Sequence, residues 1–356
     1  MPPEQILQHD YTSWRISSQK AATLYAKGVK LWTKADLRDI ERQLAAYTTT
    51  PVFTIRSIDG ATLAIANPMF EVELPIWKPR VRFREYWRLV THQPDDPEEM
   101  YLCSYLPHWI NTSARSFRGV ILNPGSLFEE TRLSWLKSDS CELLKSQLQK
   151  TAALKTVKKI ICLGLGDICR IPPEWWRRHS SAQGDNLEAS FVRAAMTQHA
   201  IALTLAHVCR EMAGHHVQLL AQDPDYTDEA KAVLTSYGFS VVGDFGAGGF
   251  AEIDEDSFVF SVFIEAPLKQ IIADIARPSV IVSSGFDVFN DSELLELDLL
   301  LTCLVHNRKP WADADSPRTV NMWKAYEEKI DFPISPGDEE LMTKLREIFI
   351  YVRKEI

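Results

Sequence analysis

Residues 158–166 read KKIICLGLG. Two lysines lead into an unbroken apolar run, and the run ends on two glycines spaced by one residue. A short apolar run rich in β-branched residues, bounded by charge and by glycine, is the pattern of a strand buried on both faces. Strands buried on both faces belong to parallel sheets covered by helices on either side. The rest of the chain must therefore supply alternating helices and strands.

It does so in both directions. Leu187–Met212 reads as a long helix, with Leu187, Phe191, Ala194, Ala202, Leu205, Ala206 and Met212 on its apolar side. Strand VQLLAQDP (217–224), helix Tyr226–Tyr237 and strands FSVV (239–242) and FVFSVFIEAP (258–267) follow. Then come helix Leu268–Ile275, strand PSVIVSSG (278–285) and helix Ser292–His306. Upstream, RGVILNP reads as a strand and Ser126 to about Gln149 as one helix. This alternation predicts an α/β fold, a Rossmann-like doubly wound, mostly parallel sheet over residues 116–310. Residues 1–115 read as an N-terminal α+β extension: a helical stretch at 17–47, then short strands with a hairpin at Asp59-Gly60. Residues 311–356 read as a C-terminal helical segment.

The chain has 356 residues, 46% hydrophobic and 24% charged, with a net charge of −9. That balance suits a globular protein and excludes a general nucleic-acid coat, though not a local basic patch. The six cysteines, Cys103, Cys141, Cys162, Cys169, Cys209 and Cys303, form no CxxC pair, which fits free thiols in a reducing compartment. No leader pattern opens the chain and no run approaches a membrane span. The expectation is a cytoplasmic protein that binds neither DNA nor membrane.

In parallel sheets ligands bind beyond the carboxyl ends of the strands. Those ends carry Asp167, Asp223, Asp225, Glu265, Ser283, Ser284 and Asp287, with Asn123 and Ser126 after RGVIL. The predicted crevice is thus rich in carboxylates and hydroxyls and takes no Lys or Arg from a strand end. It suits a cationic or polyhydroxyl ligand. The glycine frame is Gly164, Gly166 and then Cys169 where a dinucleotide fingerprint needs a third glycine. A long loop also separates the turn from the next helix, so a pyrophosphate loses the helix N-terminus that would neutralise it. No nucleotide cofactor is expected. A looser turn with Asp223 as a ribose-binding acid keeps an S-adenosylmethionine-dependent methyltransferase open.

Ser126 sits at a strand–turn–helix corner suited to a nucleophile, but Ser126 to Glu129 also spells a capping box. His199 and Arg193 on the long helix can face the crevice, whereas no histidines and cysteines share metal-ligand spacing. GAGGF (246–250) reads as a flexible loop and PDDPEE (94–99) as an exposed acidic one. Two stretches are basic and aromatic. WKPRVRFREYWR (77–88) places Arg80, Arg82 and Arg84 at alternate positions, and the long loop adds Arg170, Trp175, Trp176, Arg177 and Arg178. Such rows track a phosphate backbone, while interleaved aromatics stack on bases.

Four blocks in order, KKIICLGLGDI, QHAIALTLA, QDPDYTDEAKAVLTSYGFSVV and FVFSVFIEAP, resemble the sensitivity-to-red-light-reduced (SRR-type) domain over roughly residues 155–285. Some members of that family are regarded as regulatory, so a non-catalytic module is one alternative. The N-terminal extension with its basic stretch resembles a fungal subgroup, the arginine-containing cyclodipeptide synthases. That resemblance implies transfer of arginine and a second amino acid from two aminoacyl-tRNAs into a cyclo(Arg-Xaa) diketopiperazine, with no cofactor and no metal. It implies that Asp167, Asp223, Asp225 and Asp287, with Gly164 and Gly166, line the substrate site. Glu265 or His199 would move a proton, and, by analogy with the unrelated bacterial cyclodipeptide synthases, Ser126, Ser283, Ser284 or none of them would hold an aminoacyl group. Arg80, Arg82, Arg84, Arg177 and Arg178 would meet the tRNA.

Overall fold

The computed structural model describes residues 13–73, 76–92, 94–111, 119–171, 187–262, 264–284, 313–327, 329–338 and 348–354. Helix α1 (Ser13–Ala26) buries Ala21 and Tyr25 and gives way at Gly28, whose φ of +90° few other residues adopt. Helix α2 (Lys34–Ala45) opens on a capping box. The Asp36 N–H donates to Thr33 Oγ1 at 3.1 Å, and the Asp36 carboxylate accepts the Thr33 N–H at 3.0 Å. Strands β1 (Val52–Arg56) and β2 (Thr62–Ala66) form the expected hairpin around Asp59-Gly60. Strand β3 (Trp77–Phe83), helix α3 (Tyr86–Thr91) and strand β4 (Tyr105–Asn111) follow, with β3 and β4 antiparallel.

The remaining elements are α4 (Pro124–Leu136), α5 (Asp139–Leu148), β5 (Lys159–Leu163), α6 (Leu187–Ala213), β6 (Gln218–Gln222), α7 (Asp228–Ser236), β7 (Ser240–Val241), α8 (Gly248–Ala251), β8 (Ser257–Phe260), α9 (Leu268–Ile275), β9 (Val280–Ser284), α10 (Pro317–Trp323), β10 (Ile330–Asp331) and β11 (Ile348–Val352). Seven strands make one sheet in the order β10-β11-β9-β8-β5-β6-β7. The pairs from β9 through to β7 are all parallel. From β5 the chain moves outward to β6 and β7, then returns to lay β8 and β9 on the other side. The order thus reverses between β5 and β8, where open parallel sheets leave a crevice.

Alternate residues of β5 enter different cores, as a period of two requires. Ile160 and Cys162 pack with Phe128, Trp135, Leu144 and Leu205 from α4, α5 and α6. Ile161 and Leu163 pack with Trp32, Leu37, Phe53 and Phe250, so the N-terminal elements and α8 cover the opposite face together with Ile271 of α9.

Four expectations are corrected. The C-terminal segment is not purely helical. After α10, its IFIYV run pairs antiparallel with β9 and closes that edge of the sheet, because β-branched and aromatic residues fit a half-buried pleat better than a helix surface. RGVILNP is no sheet strand: Val120 makes a single antiparallel bridge to Arg170, and Leu122 is 91% exposed. The helix expected from Ser126 to Gln149 is two helices, because the Ser138 side chain accepts the Cys141 N–H at 3.2 Å and starts α5. Strand β8 ends at Phe260, well short of Pro267. The helix expected at Ser292–His306 lies outside the described residues.

Candidate functional site

The turn after β5 is knitted to β6. Gly164 and Gly166 have φ of +67° and +83°, which explains both glycines, and a Cβ on Gly166 would meet that of Ala195 on α6 at 3.2 Å. Their donors are already engaged. The Gly164 N–H donates to Gln222 O at 2.9 Å, and the Gly166 N–H donates to Asp223 Oδ2 at 2.9 Å. The turn offers neither N–H to a pyrophosphate. Asp167 is buried and accepts from the N–H groups of Cys169, Arg170 and Thr227 at 2.6, 2.7 and 2.5 Å. It fastens the loop to the start of α7, and this accounts for the carboxylate without a ligand.

Asp223 is different. It lies at the end of β6, partly exposed at the crevice, and accepts the N–H groups of Gly166 and Asp225. Burial, and then the neighbouring Asp225 charge, push its carboxyl up from 3.8 to about 6. That makes it a proton acceptor poised near neutral pH. Asp225 beside it holds the Arg80 guanidinium at 2.6 Å and lies 3.9 Å from that of Arg170. Arg80 comes from β3, which passes over the strand ends and donates its Val81 N–H to Phe245 O at 2.8 Å. The crevice therefore does hold cations. They come from another part of the chain and from the loop after β5, which a survey of strand ends does not reach.

His199 is no crevice base. It is fully buried on α6, with Nδ1 2.7 Å from Ala195 O and Nε2 2.7 Å from Tyr226 Oη. A carbonyl only accepts, so Nδ1 carries the proton and Nε2 accepts from the tyrosine. Burial drives its pKa from 6.5 down to about 4. The unfolded chain takes up a proton below pH 6.5 while the folded chain resists until about 4, so the stability from this group is complete above 6.5 and is lost as pH falls towards 4. The full effect is roughly 3 kcal/mol. Urea unfolding at pH 7.5 and 5.0 should show the wild type losing about 2 kcal/mol more than His199→Gln. Equal losses would show that the imidazole is not held neutral.

Ser126 is exposed in the first turn of α4, and the helix is entered through Asn123, at φ +51°, and Pro124. The capping box is thus absent, because proline presets the first helical φ and Asn123 makes no side-chain cap bond. Ser283 is buried within β9 between β8 and β11, its hydroxyl 3.3 Å from Ser284 O. Ser284 is half-buried at the end of that strand. Glu265 is exposed on the loop before α9. The structure brings none of these side chains to Asp223 by a hydrogen bond. Asp287, Arg177 and Arg178 lie outside the described residues.

The family model of the SRR1 domain matches residues 144–347, more than half of the chain. The chain belongs to the SRR1-domain family. No curated protein and no solved structure matches it. The SRR1 match begins within α5 and stops just before β11, so Arg80 reaches the crevice of the SRR1 domain from outside the matched span. Among the described residues of this SRR1 protein, no helix is long and apolar enough to cross a membrane, and no cluster of His, Cys, Asp and Glu is placed to hold a metal ion.

Two further contacts tie the N-terminal elements to the SRR1 domain or to themselves. GAGGF is not a loose loop. The Glu41 carboxylate from α2 accepts the N–H groups of Phe245, Ala247 and Gly248 at 2.9, 2.9 and 3.0 Å, and the segment turns into α8. The basic row is likewise engaged. Arg82 bonds both oxygens of Asp96 at 2.9 and 3.0 Å, and Arg84, almost wholly buried, joins the same carboxylate and donates to Met100 O. PDDPEE thus folds back over the row through Asp96.

One group of residues escaped the sequence reading. Lys269, in the first turn of α9, is buried with Asp313, and Glu85 caps α3 alongside. The Lys269 N–H donates to Asp313 Oδ1 at 2.9 Å, and its ammonium lies 3.7 Å from Asp315 Oδ1. The signals were a lysine opening an otherwise apolar helix and the alternating acids of WADADSPR. Neither is distinctive until the fold brings them together.

Proposed function

We propose that this SRR1-domain protein is an aminoacyl-tRNA-dependent cyclodipeptide synthase that joins arginine to a second amino acid, on a Rossmann-like sheet with an N-terminal α+β extension. The observation that carries the reading is Asp223: a carboxyl near pH 6 at the crevice, beside a carboxylate, Asp225, that already grips a guanidinium. An aminoacyl ester is activated when it arrives, so the chemistry needs a proton acceptor and recognition, not ATP. The α-amine of one aminoacyl group attacks the ester carbonyl of the other and passes a proton to Asp223. The tetrahedral adduct collapses, and the departing ribose oxygen of that tRNA takes the proton up. The second amine then attacks the remaining ester, closing the six-membered ring and freeing the second tRNA. Asp225 is the natural acceptor for an arginyl fork, in exchange for Arg80. Arg80 and Arg82 with Arg177 and Arg178 would take the tRNA backbone, a phosphate replacing Asp96 at Arg82, while Arg84, expected to join them, is buried and holds the row in place through Met100 O. Ser126, Ser283, Glu265 and His199 are left out of this proton path because none hydrogen-bonds to Asp223, and His199 is buried against Tyr226.

The test is expression in a bacterial host followed by mass spectrometry of the medium. The expected result is a cyclo(Arg-Xaa) mass that is absent without the protein. Folded protein that yields no arginine diketopiperazine would overturn the reading. One observation favours a second reading. A glycine turn after the first parallel strand and an acid, Asp223, after the second suit an S-adenosylmethionine-dependent methyltransferase. Calorimetry decides that case: no heat at millimolar S-adenosylmethionine removes it.

A further inference from the structure

The ammonium of Lys269 is costly to bury, and the bonds that tie its surroundings together do not use it. Among the described residues the ammonium meets no hydrogen-bond acceptor, Asp315 Oδ1 standing 3.7 Å away, and its side chain is only 2% exposed. An ammonium stripped of water and left without an acceptor is a strongly unfavourable arrangement. The groups around it are, by contrast, well tied. Gln270 accepts the Tyr86 N–H at 2.9 Å and donates to Ala314 O at 2.7 Å. Glu85 accepts the N–H groups of Trp87 and Arg88, each at 2.6 Å. Thr319 donates to Asp315 Oδ1 at 2.8 Å. A fixed shell around one unsatisfied donor is the arrangement expected of a site awaiting an acceptor oxygen.

We propose that Lys269 and Asp313 form a binding site for an α-aminoacyl group, the carbonyl oxygen accepting from the Lys269 ammonium and the α-amine donating to the Asp313 carboxyl. The surrounding charge selects this ligand class. A bare anion would meet Asp313, Asp315 and Glu85 as well as Lys269, and a bare amine would leave Lys269 unanswered. A carbonyl next to a primary amine answers both. Burial lifts the Asp313 carboxyl from 3.8 to about 8, so it is largely neutral until an ammonium arrives, and binding should release a proton. Lys269 opens the helix that follows β8, one of the two strands flanking the reversal in strand order, so the site lies at the same end of the sheet as Asp223. The identity of the aminoacyl group rests on the synthase reading, while the site itself rests on Lys269 and Asp313.

The probes are L-argininamide, L-leucinamide and L-phenylalaninamide, titrated calorimetrically into the full chain, with propylamine and acetamide as half-ligands. At least one amide should bind, with proton release seen as a heat that depends on the buffer, and the half-ligands should not. Lys269→Met and Asp313→Asn, both close in volume to the native residue, should each weaken amide binding about tenfold or more. No amide binding to the wild type would overturn the proposal, whether or not the variants fold. So would folded variants that bind like the wild type. Amide binding with no diketopiperazine leaves the site and removes the synthase. Diketopiperazine formation with an unchanged KM in Lys269→Met leaves the synthase and removes the site.

Discussion

Asp223→Asn is expected to abolish diketopiperazine formation, at least about 100-fold, in a protein that unfolds at a higher temperature than the wild type. Both halves follow from one carboxyl. At pH 7.5 Asp223 is ionised although its surroundings hold its pKa near 6 and not 3.8, which costs the fold roughly 3 kcal/mol. Asparagine removes that cost. It keeps one of the two backbone N–H bonds that the carboxylate accepts and loses the other, at about 1 kcal/mol. The balance favours the variant by a kcal/mol or two. The sign can be tested by pH. A raised carboxyl pKa is a penalty in full above pH 6 that fades as pH falls towards 3.8. The variant's advantage should therefore be largest at neutral pH and vanish near pH 4, as followed by urea unfolding across that range. A variant that is inactive and also strongly destabilised would mark Asp223 as structural.

Glu41→Ala should be the most damaging single change to stability among those considered. One carboxylate satisfies the N–H groups of Phe245, Ala247 and Gly248, and alanine leaves all of them without that acceptor. At about 1 kcal/mol each the loss is roughly 3 kcal/mol, or a fall in Tm of about 4 °C. Water can replace part of this, because an open hollow lined by Arg38, Glu41, Arg42 and Gly248 lies beside the turn, but on its inner side the turn is tight: a Cβ on Gly249 would lie 2.9 Å from Gln222 Cβ. Glu41→Gln retains an acceptor oxygen and should lose less than half as much. Calorimetric melts of the two variants check the order, and equal melts would show that the turn holds itself.

The sheet was legible because each strand carries its own signature. KIICL, QLLAQ and VIVSS are apolar runs between charge and turn residues, and the structure makes each a strand of the expected parallel set. Where the reading failed, the deciding partner was distant. IFIYV becomes a strand only because β9 offers an unpaired edge. RGVILNP looked like a strand by composition but finds only a one-residue bridge. The site divides in the same way. Asp223 followed from its place after a strand, whereas nothing local announces that Arg80 lies 145 positions from the carboxylate it meets. His199 misled because its sequence position was right for the crevice and its side chain turns inward to Tyr226. Lys269 was invisible for the same reason, since its acids stand more than forty positions away.

The seam between the matched family span and the rest of the chain runs through a shared hydrophobic core. Residues 144–347 carry Ile161, Leu163, Val259 and Ile281, whose cover includes Trp32, Leu37 and Phe53 from outside that span. A fragment cut at the family boundary would present a bare oily sheet face to water and should aggregate, not fold. The unit that sequence kinship recognises is therefore smaller than the unit that can exist alone. The excess is also chemically informative: the piece that seals the sheet is the piece that delivers Arg80 to Asp225. Relatives that seal the same face with a different segment would present the crevice with different charges, a route by which one scaffold could acquire a new ligand without altering a strand of its sheet.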